Sequence, residues 1–200
     1  MRSSRVGVLV VGLAVLAGCG TGAPPTASVA PSAGPSASTA AAGDTSSATS
    51  APSAAMPVPT GTADVEVEGD PGEAVQVKTV RFADHGSLDR VVIDLDGDVA
   101  NYSVSWVDEL VQDGSGEPID VKGGAYLQVT LKPARAHTDK GAPTWIGGPV
   151  FQAGLGNVQN VVKTGDFEGV VGVGLVLDHR APFSVAKLTG PDRLVIDVAH

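Results

Sequence analysis

The sequence predicts an all-β protein, an antiparallel β-sandwich of about nine short strands, preceded by a disordered linker. Three observations carry this. Side chains alternate with period two in run after run between Val75 and Val198. No stretch of a dozen residues shows a helical period, and Gly-, Asp- and Pro-containing turns separate the runs. The first aromatic residue of the 200 is Phe82, so only the C-terminal part has the means to fold. The 128 residues from Glu73 to His200 suffice for one core without disulfides or metal, and one domain is expected over 73–200.

Ahead of that domain, residues 1–18 read as a signal peptide. Arg2 and Arg5 supply the positive start, Val6 to Leu16 the apolar run, and Ala17 and Gly18 the small residues before a cut. Leu16, Ala17, Gly18 and Cys19 together have the form of a lipoprotein lipobox, which implies cleavage before Cys19 and lipidation of its sulfur by palmitate-type acyl chains. The other option is an ordinary signal sequence cut elsewhere. The apolar run is too short to span a bilayer as a mature helix. A diacylglyceryl thioether at Cys19 anchors stably, placing the mature chain on the outer face of the cell membrane.

From Cys19 to residue 72 the chain is expected to be a tether. Gly20 to Ala63 is built from Ala, Ser, Thr, Pro and Gly with Asp44 as its sole charge, leaving nothing to bury. The 52 residues from Gly20 to Pro71 would reach roughly 40 Å as a flexible coil and roughly 160 Å as extended polyproline II. The Ser/Thr/Pro density also suits O-glycosylation. At its end Asp64, Glu66, Glu68 and Asp70 alternate with Val65 and Val67; this reads as a solvated charged leader, with an edge strand as the other option.

Within the domain, Val75 and Val77 share one parity and Val80 and Phe82 the other, which a bulge near Thr79 reconciles. After a turn at Asp84 to Ser87, Val91, Ile93 and Leu95 point one way and Arg90, Val92 and Asp94 the other. Tyr102, Val104 and Trp106 alternate with Ser103, Ser105 and Val107, the aromatic pair supporting the core. A turn at Asp113 to Gly116 leads to a short strand at Ile119 and Val121. Gly123 and Gly124 lead into Ala125, Leu127, Val129 and Leu131, the cleanest alternation in the chain, which Pro133 ends. Lys132 to Pro149 has no periodicity, and a loop of that length is uncommon and often functional. Val158, Val161 and Val162 mark the next strand, followed by a turn at Gly165 to Gly169. Val171, Val173, Leu175 and Leu177 come next, with Gly172 and Gly174 opposite, implying a close packing neighbour or an open shallow surface. Phe183 and Val185, then Leu194, Ile196 and Val198, close the chain.

Composition excludes several functions. Without Arg2 and Arg5 the chain keeps 11 basic groups against 22 acidic ones, a net charge of −11 that repels nucleic acid and anionic headgroups. Cys19 is the only cysteine, so there is no disulfide and no redox or metal thiol. Asp94, Asp96 and Asp98 start like a calcium loop, but Val99 stands where that loop needs glycine and Ser105 where it needs glutamate. His85, His137, His179 and His200 lack ligand-like spacing, so no metal and no cofactor are expected. There is no Gly-x-Ser-x-Gly elbow, and no enzyme activity is expected.

Two strands carry a resemblance. Pro191, Asp192, Arg193, Leu194, Val195, Ile196, Asp197 and Val198 resemble the closing strand of AMIN domains, and Arg90 to Gly97 followed by Tyr102 resembles that family's internal strand and its tyrosine. The two segments also resemble each other, as pseudo-symmetric halves of a sandwich would. With the lipobox, the chain is most similar to AMIN-like domain lipoproteins of high-GC Gram-positive bacteria. AMIN modules are associated with peptidoglycan and the cell envelope, so the resemblance implies a non-enzymatic module that binds peptidoglycan or another wall glycan. The alternatives are a protein-interaction module docking on an envelope enzyme or transporter and, further off, a hydrolase. Val107 to Gly169 is longer than an AMIN module supplies.

Two surfaces are candidates. Arg90 with Asp94, and Arg193 with Asp197, each share a strand face; they read as a charged outer face that keeps the sheet soluble, or as partners for sugar hydroxyls and peptide termini. The long loop offers Arg135, His137, Thr138, Asp139 and Trp145, in which an indole stacks on sugar rings while the polar groups address hydroxyls and carboxylates. Trp145 plugging the sandwich end is the other option.

Overall fold

A computed structural model describes residues 57–200. The expected signal peptide, Cys19 and the tether up to residue 56 lie outside the described residues. Eleven strands and no helix make up the described residues: β1 (Val65–Val67), β2 (Val75–Asp84), β3 (Leu88–Leu95), β4 (Asn101–Val107), β5 (Ala125–Lys132), β6 (Ala134–Arg135), β7 (Val150–Gln152), β8 (Val158–Phe167), β9 (Val170–Leu177), β10 (Phe183–Leu188) and β11 (Arg193–Ala199). They form a six-stranded sheet in the order β1-β4-β5-β9-β8-β7 and a five-stranded sheet in the order β10-β11-β3-β2-β6. Every pairing is antiparallel except β2 with β6.

Period two does the building. Val91, Ile93 and Leu95 of β3 and Leu194, Ile196 and Val198 of β11 turn inward from one sheet. Leu127, Val129 and Leu131 of β5 and Val171, Val173, Leu175 and Leu177 of β9 meet them from the other, and all belong to one buried core. The parity change in β2 is the bulge anticipated near Thr79, since the β2–β3 register shifts between Val77 and Thr79. Tyr102 and Trp106 pack against the core from the side of β4.

Two differences from expectation follow from packing. Residues 57–72 are not all tether: Pro59 is buried, β1 pairs with β4, and the Phe183 backbone N–H donates to the Gly61 carbonyl. The alternating valines place a narrow apolar stripe on the sheet while Glu66 faces outward, so the segment is an edge strand. Ile119 and Val121 do not form a strand; only a Val111–Pro118 bridge lies there. Their side chains, with Leu110, instead cover the outer face of the six-stranded sheet at Val162, Val176 and Tyr126. That segment explains the two glycines of β9, because a methyl group at Gly174 would run into Leu110 and one at Gly172 into Thr164 and Asp113. The close packing neighbour is the 108–124 strap.

Candidate functional site

The two strands that share a sequence pattern are neighbours. β3 and β11 pair with Asp94 opposite Arg193, Val92 opposite Val195 and Arg90 opposite Asp197. β2 extends the pattern by placing Arg81 opposite Val92, and β10 by placing Leu188 opposite Arg193. Alternation sends these residues to the outer face of the five-stranded sheet, away from the core. The result is a groove of about 320 Å³ lined by Arg81, Arg90, Arg193, His85, Val92 and Leu188, among others.

Charges on this face pair across strands rather than along them. Arg90 donates through Nε and Nη2 to Asp197 at 2.7 Å each, and Arg81 through Nε and Nη2 to Asp94 at 2.6 and 2.8 Å. Both are forked guanidinium–carboxylate pairs, the geometry in which arginine is strongest. Bonding to Asp94 holds the Arg81 guanidinium above its ordinary value, and the same bond holds the Asp94 carboxyl below the usual range. Asp197 likewise raises Arg90. Among the described residues Arg193 makes no ion pair, although it stands beside Asp94. Three guanidiniums against two carboxylates leave the groove cationic in a chain of net charge −9.

The long loop separates the residues expected to act together. Trp145 is 3% exposed and stacks on Phe151 at 4.8 Å, with the Lys163 ammonium 4.9 Å from its ring. Its expected role as a sugar platform is corrected: the indole belongs to the buried core, with Phe151 of β7 packed against it. Lys163 donates to the Trp145 carbonyl at 2.6 Å, and burial pulls its ammonium below the ordinary value despite Asp166 nearby. Arg135 pairs with Asp139 at 2.8 Å, and the Thr138 hydroxyl accepts from the Ala142 N–H, so both serve the loop's own turn. His137 Nδ1 lies 2.6 Å from Asp166 Oδ2 and opens onto a shallow depression with Lys163.

Three further features lie outside the lining of the arginine groove. Tyr102 lies beside a wider depression of about 610 Å³ between β1 and the end of β5, whose charged lining is Glu66, Glu68 and Lys132. Pro191 sits in the turn ahead of β11. Asp84, Asp89 and His200 bring ligand-type atoms within 4.8 Å of one another. The fully buried Asp89 already accepts from the Gly156, Asn157 and Val158 N–H groups and lies 2.9 Å from His200 Nε2. That set acts as a clasp between β3 and the 156–158 loop.

Arg81, His85 and Leu188 had no signal in the sequence as site residues. Arg81 reaches the groove because the bulge at Thr79 puts it on the same face as Arg90. The AMIN-like domain family model matches residues 75–200. No curated protein and no solved structure matches the chain.

Proposed function

The chain belongs to the AMIN-like domain family over residues 75–200, and from that premise we propose that it is a lipid-anchored envelope protein whose domain binds the cell wall without enzymatic action. In this reading Cys19 carries the lipid, the segment after it spans toward the wall, and the sandwich holds wall polymer through the outer face of the five-stranded sheet. The observation that supports it best is the groove: the two strands bearing the family resemblance form its floor, and its arginines make it cationic within an acidic chain. Wall polymers carry carboxylates and hydroxyls, and forked guanidinium donors suit both. A peptidoglycan target follows from that chemistry together with the family's association.

The test is sedimentation of the full chain, in detergent, with purified peptidoglycan over a range of salt. Co-sedimentation that weakens as ionic strength rises is expected, because partly exposed guanidiniums are screened within about 8 Å at physiological salt. A chain left in the supernatant at every salt concentration overturns the wall-binding reading. Mass spectrometry of the mature N-terminus tests the anchor separately, with a diacylglyceryl mass on Cys19 as the expected result.

A further inference from the structure

We propose that Arg193 anchors a carboxylate of the ligand, and that the groove selects an anion carried on a short aliphatic segment over a neutral sugar. This rests on the wall-binding reading above and adds the chemical class that the groove takes.

Donors and acceptors on this face do not balance. A guanidinium has five N–H donors and no acceptor. Arg81 and Arg90 each spend the Nε and Nη2 edge on an aspartate, which leaves both Nη1 groups without a partner. The same bonds occupy the oxygens of Asp94 and Asp197, the two carboxylates on this face. Each oxygen carries one of these bonds and keeps a second lone pair, but three guanidiniums offer far more donors than two carboxylates can accept, so donors are in surplus. A sugar hydroxyl is met best by a site that both donates and accepts, whereas a carboxylate only accepts.

Arg193 is the place for that carboxylate. Its fork is unpaired among the described residues, and Asp94 beside it is already claimed by Arg81 from the opposite side. Next to Arg193 in register is Leu188, 39% exposed, and one step along β11 is Val195, which pairs with Val92. An anion on Arg193 thus lays its attached carbon chain on apolar lining, with the remaining Arg81 and Arg90 donors beyond it.

The probe is N-acetyl-alanyl-alanine, titrated into the full chain and followed by NMR, beside its C-terminal amide and glycerol 1-phosphate. The acid is expected to shift β11 resonances, with the amide and the phosphate each binding at least about tenfold more weakly. Arg193→Gln is expected to weaken acid binding by a similar factor while its unfolding temperature stays within a degree or two of the parent. Arg193→Lys, which keeps the charge and loses the fork, is expected to weaken it severalfold. Arg180→Gln, which removes an arginine that lies over Trp106 outside the groove, leaves it unchanged. Equal binding of acid and amide, tighter binding of the phosphate, or an unaltered Arg193→Gln each overturns the carboxylate site. If Arg193→Gln still co-sediments with peptidoglycan as the parent does, the subsite fails and wall binding stands. If the parent itself does not co-sediment, the wall reading fails whatever the small probes do.

Discussion

Burial opposes the charge on both Asp89 and Asp113, and only Asp89 has partners that reverse the effect. Burial opposes the charge on Asp89, but the Val158 and Asn157 N–H groups and the His200 imidazole outweigh it and hold the carboxyl below its usual range. The unfolded chain takes up that proton near pH 3.9 and the native chain only at lower pH, so protons favour unfolding in between. Stability from Asp89 is therefore complete above about pH 4 and is lost as pH falls further. Asp89→Asn is expected to cost about 2–4 kcal/mol at pH 7 in urea unfolding and to flatten the acid limb. Asp113 has no such donors: Oδ2 is buried without a partner, and burial raises its carboxyl. A raised native value stabilises only while the group is protonated, so this contribution disappears as pH rises through it. Asp113→Asn is expected to raise the unfolding temperature by roughly 2–4 °C at pH 7 and to change little at pH 3. An equal effect at both pH values would contradict the assignment. Neither role was legible in the sequence. Asp89 stands at the start of an alternating run where a charge reads as solvent-facing, and its partners come from a loop nearly seventy residues on.

At the scale of elements, alternation made β3, β5, β9 and β11 readable, because each has one face in a continuous core. It failed where side chains pack on the outside of a sheet. The strap from 108 to 124 carries Leu110, Ile119 and Val121 at spacings that resemble a short strand, yet it adds no strand to either sheet and bonds to the six-stranded one through the Asp113 N–H to the Thr164 carbonyl and the Gly124 N–H to the Leu177 carbonyl. Trp145 was ambiguous for the related reason that an indole between glycines and prolines fits a ligand platform and a plug equally well. The strap and β9 should behave as one packed unit. Gly174→Ala is expected to cost about 1–3 kcal/mol because Leu110 occupies the space, and combining it with Leu110→Ala should cost less than the sum. Strict additivity in that cycle would mean that the strap is not seated on β9. The two arginine forks differ in the same way. Asp197 is 9% exposed, so Arg90→Ala, which strands its carboxylate, is expected to cost about 2–4 kcal/mol. Arg81→Ala, at a far more exposed pair, is expected to cost under about 1 kcal/mol.

For the whole domain, the decisive feature is how its open side is closed. β1 extends the six-stranded sheet past β4, and β10 ends the five-stranded sheet, so two edges lie free of further strands. The leader ties them together. Its Val65–Val67 segment pairs with β4, its Thr62 carbonyl accepts from the Trp106 indole, and its Gly61 carbonyl accepts from the β10 residue Phe183. Beneath it Trp106 meets Phe183 edge-on at 5.7 Å, one aromatic from each sheet. The family match begins at residue 75, yet buried packing reaches back to Pro59, and the acidic spacing that suggested a solvated leader hid a strand whose valines do the work. A chain starting at residue 74 would lose these bonds and uncover one flank of Trp106. At about 1 kcal/mol for each hydrogen bond, the loss should total about 2–4 kcal/mol and lower the unfolding temperature by roughly 5–12 °C. Trp145 stays buried in either form, so a red shift of tryptophan emission on truncation would report Trp106 alone. Unchanged melting and emission would show the leader to be ornamental; the expected changes would make it part of the smallest folding unit, with any tether attached upstream of it rather than at residue 72.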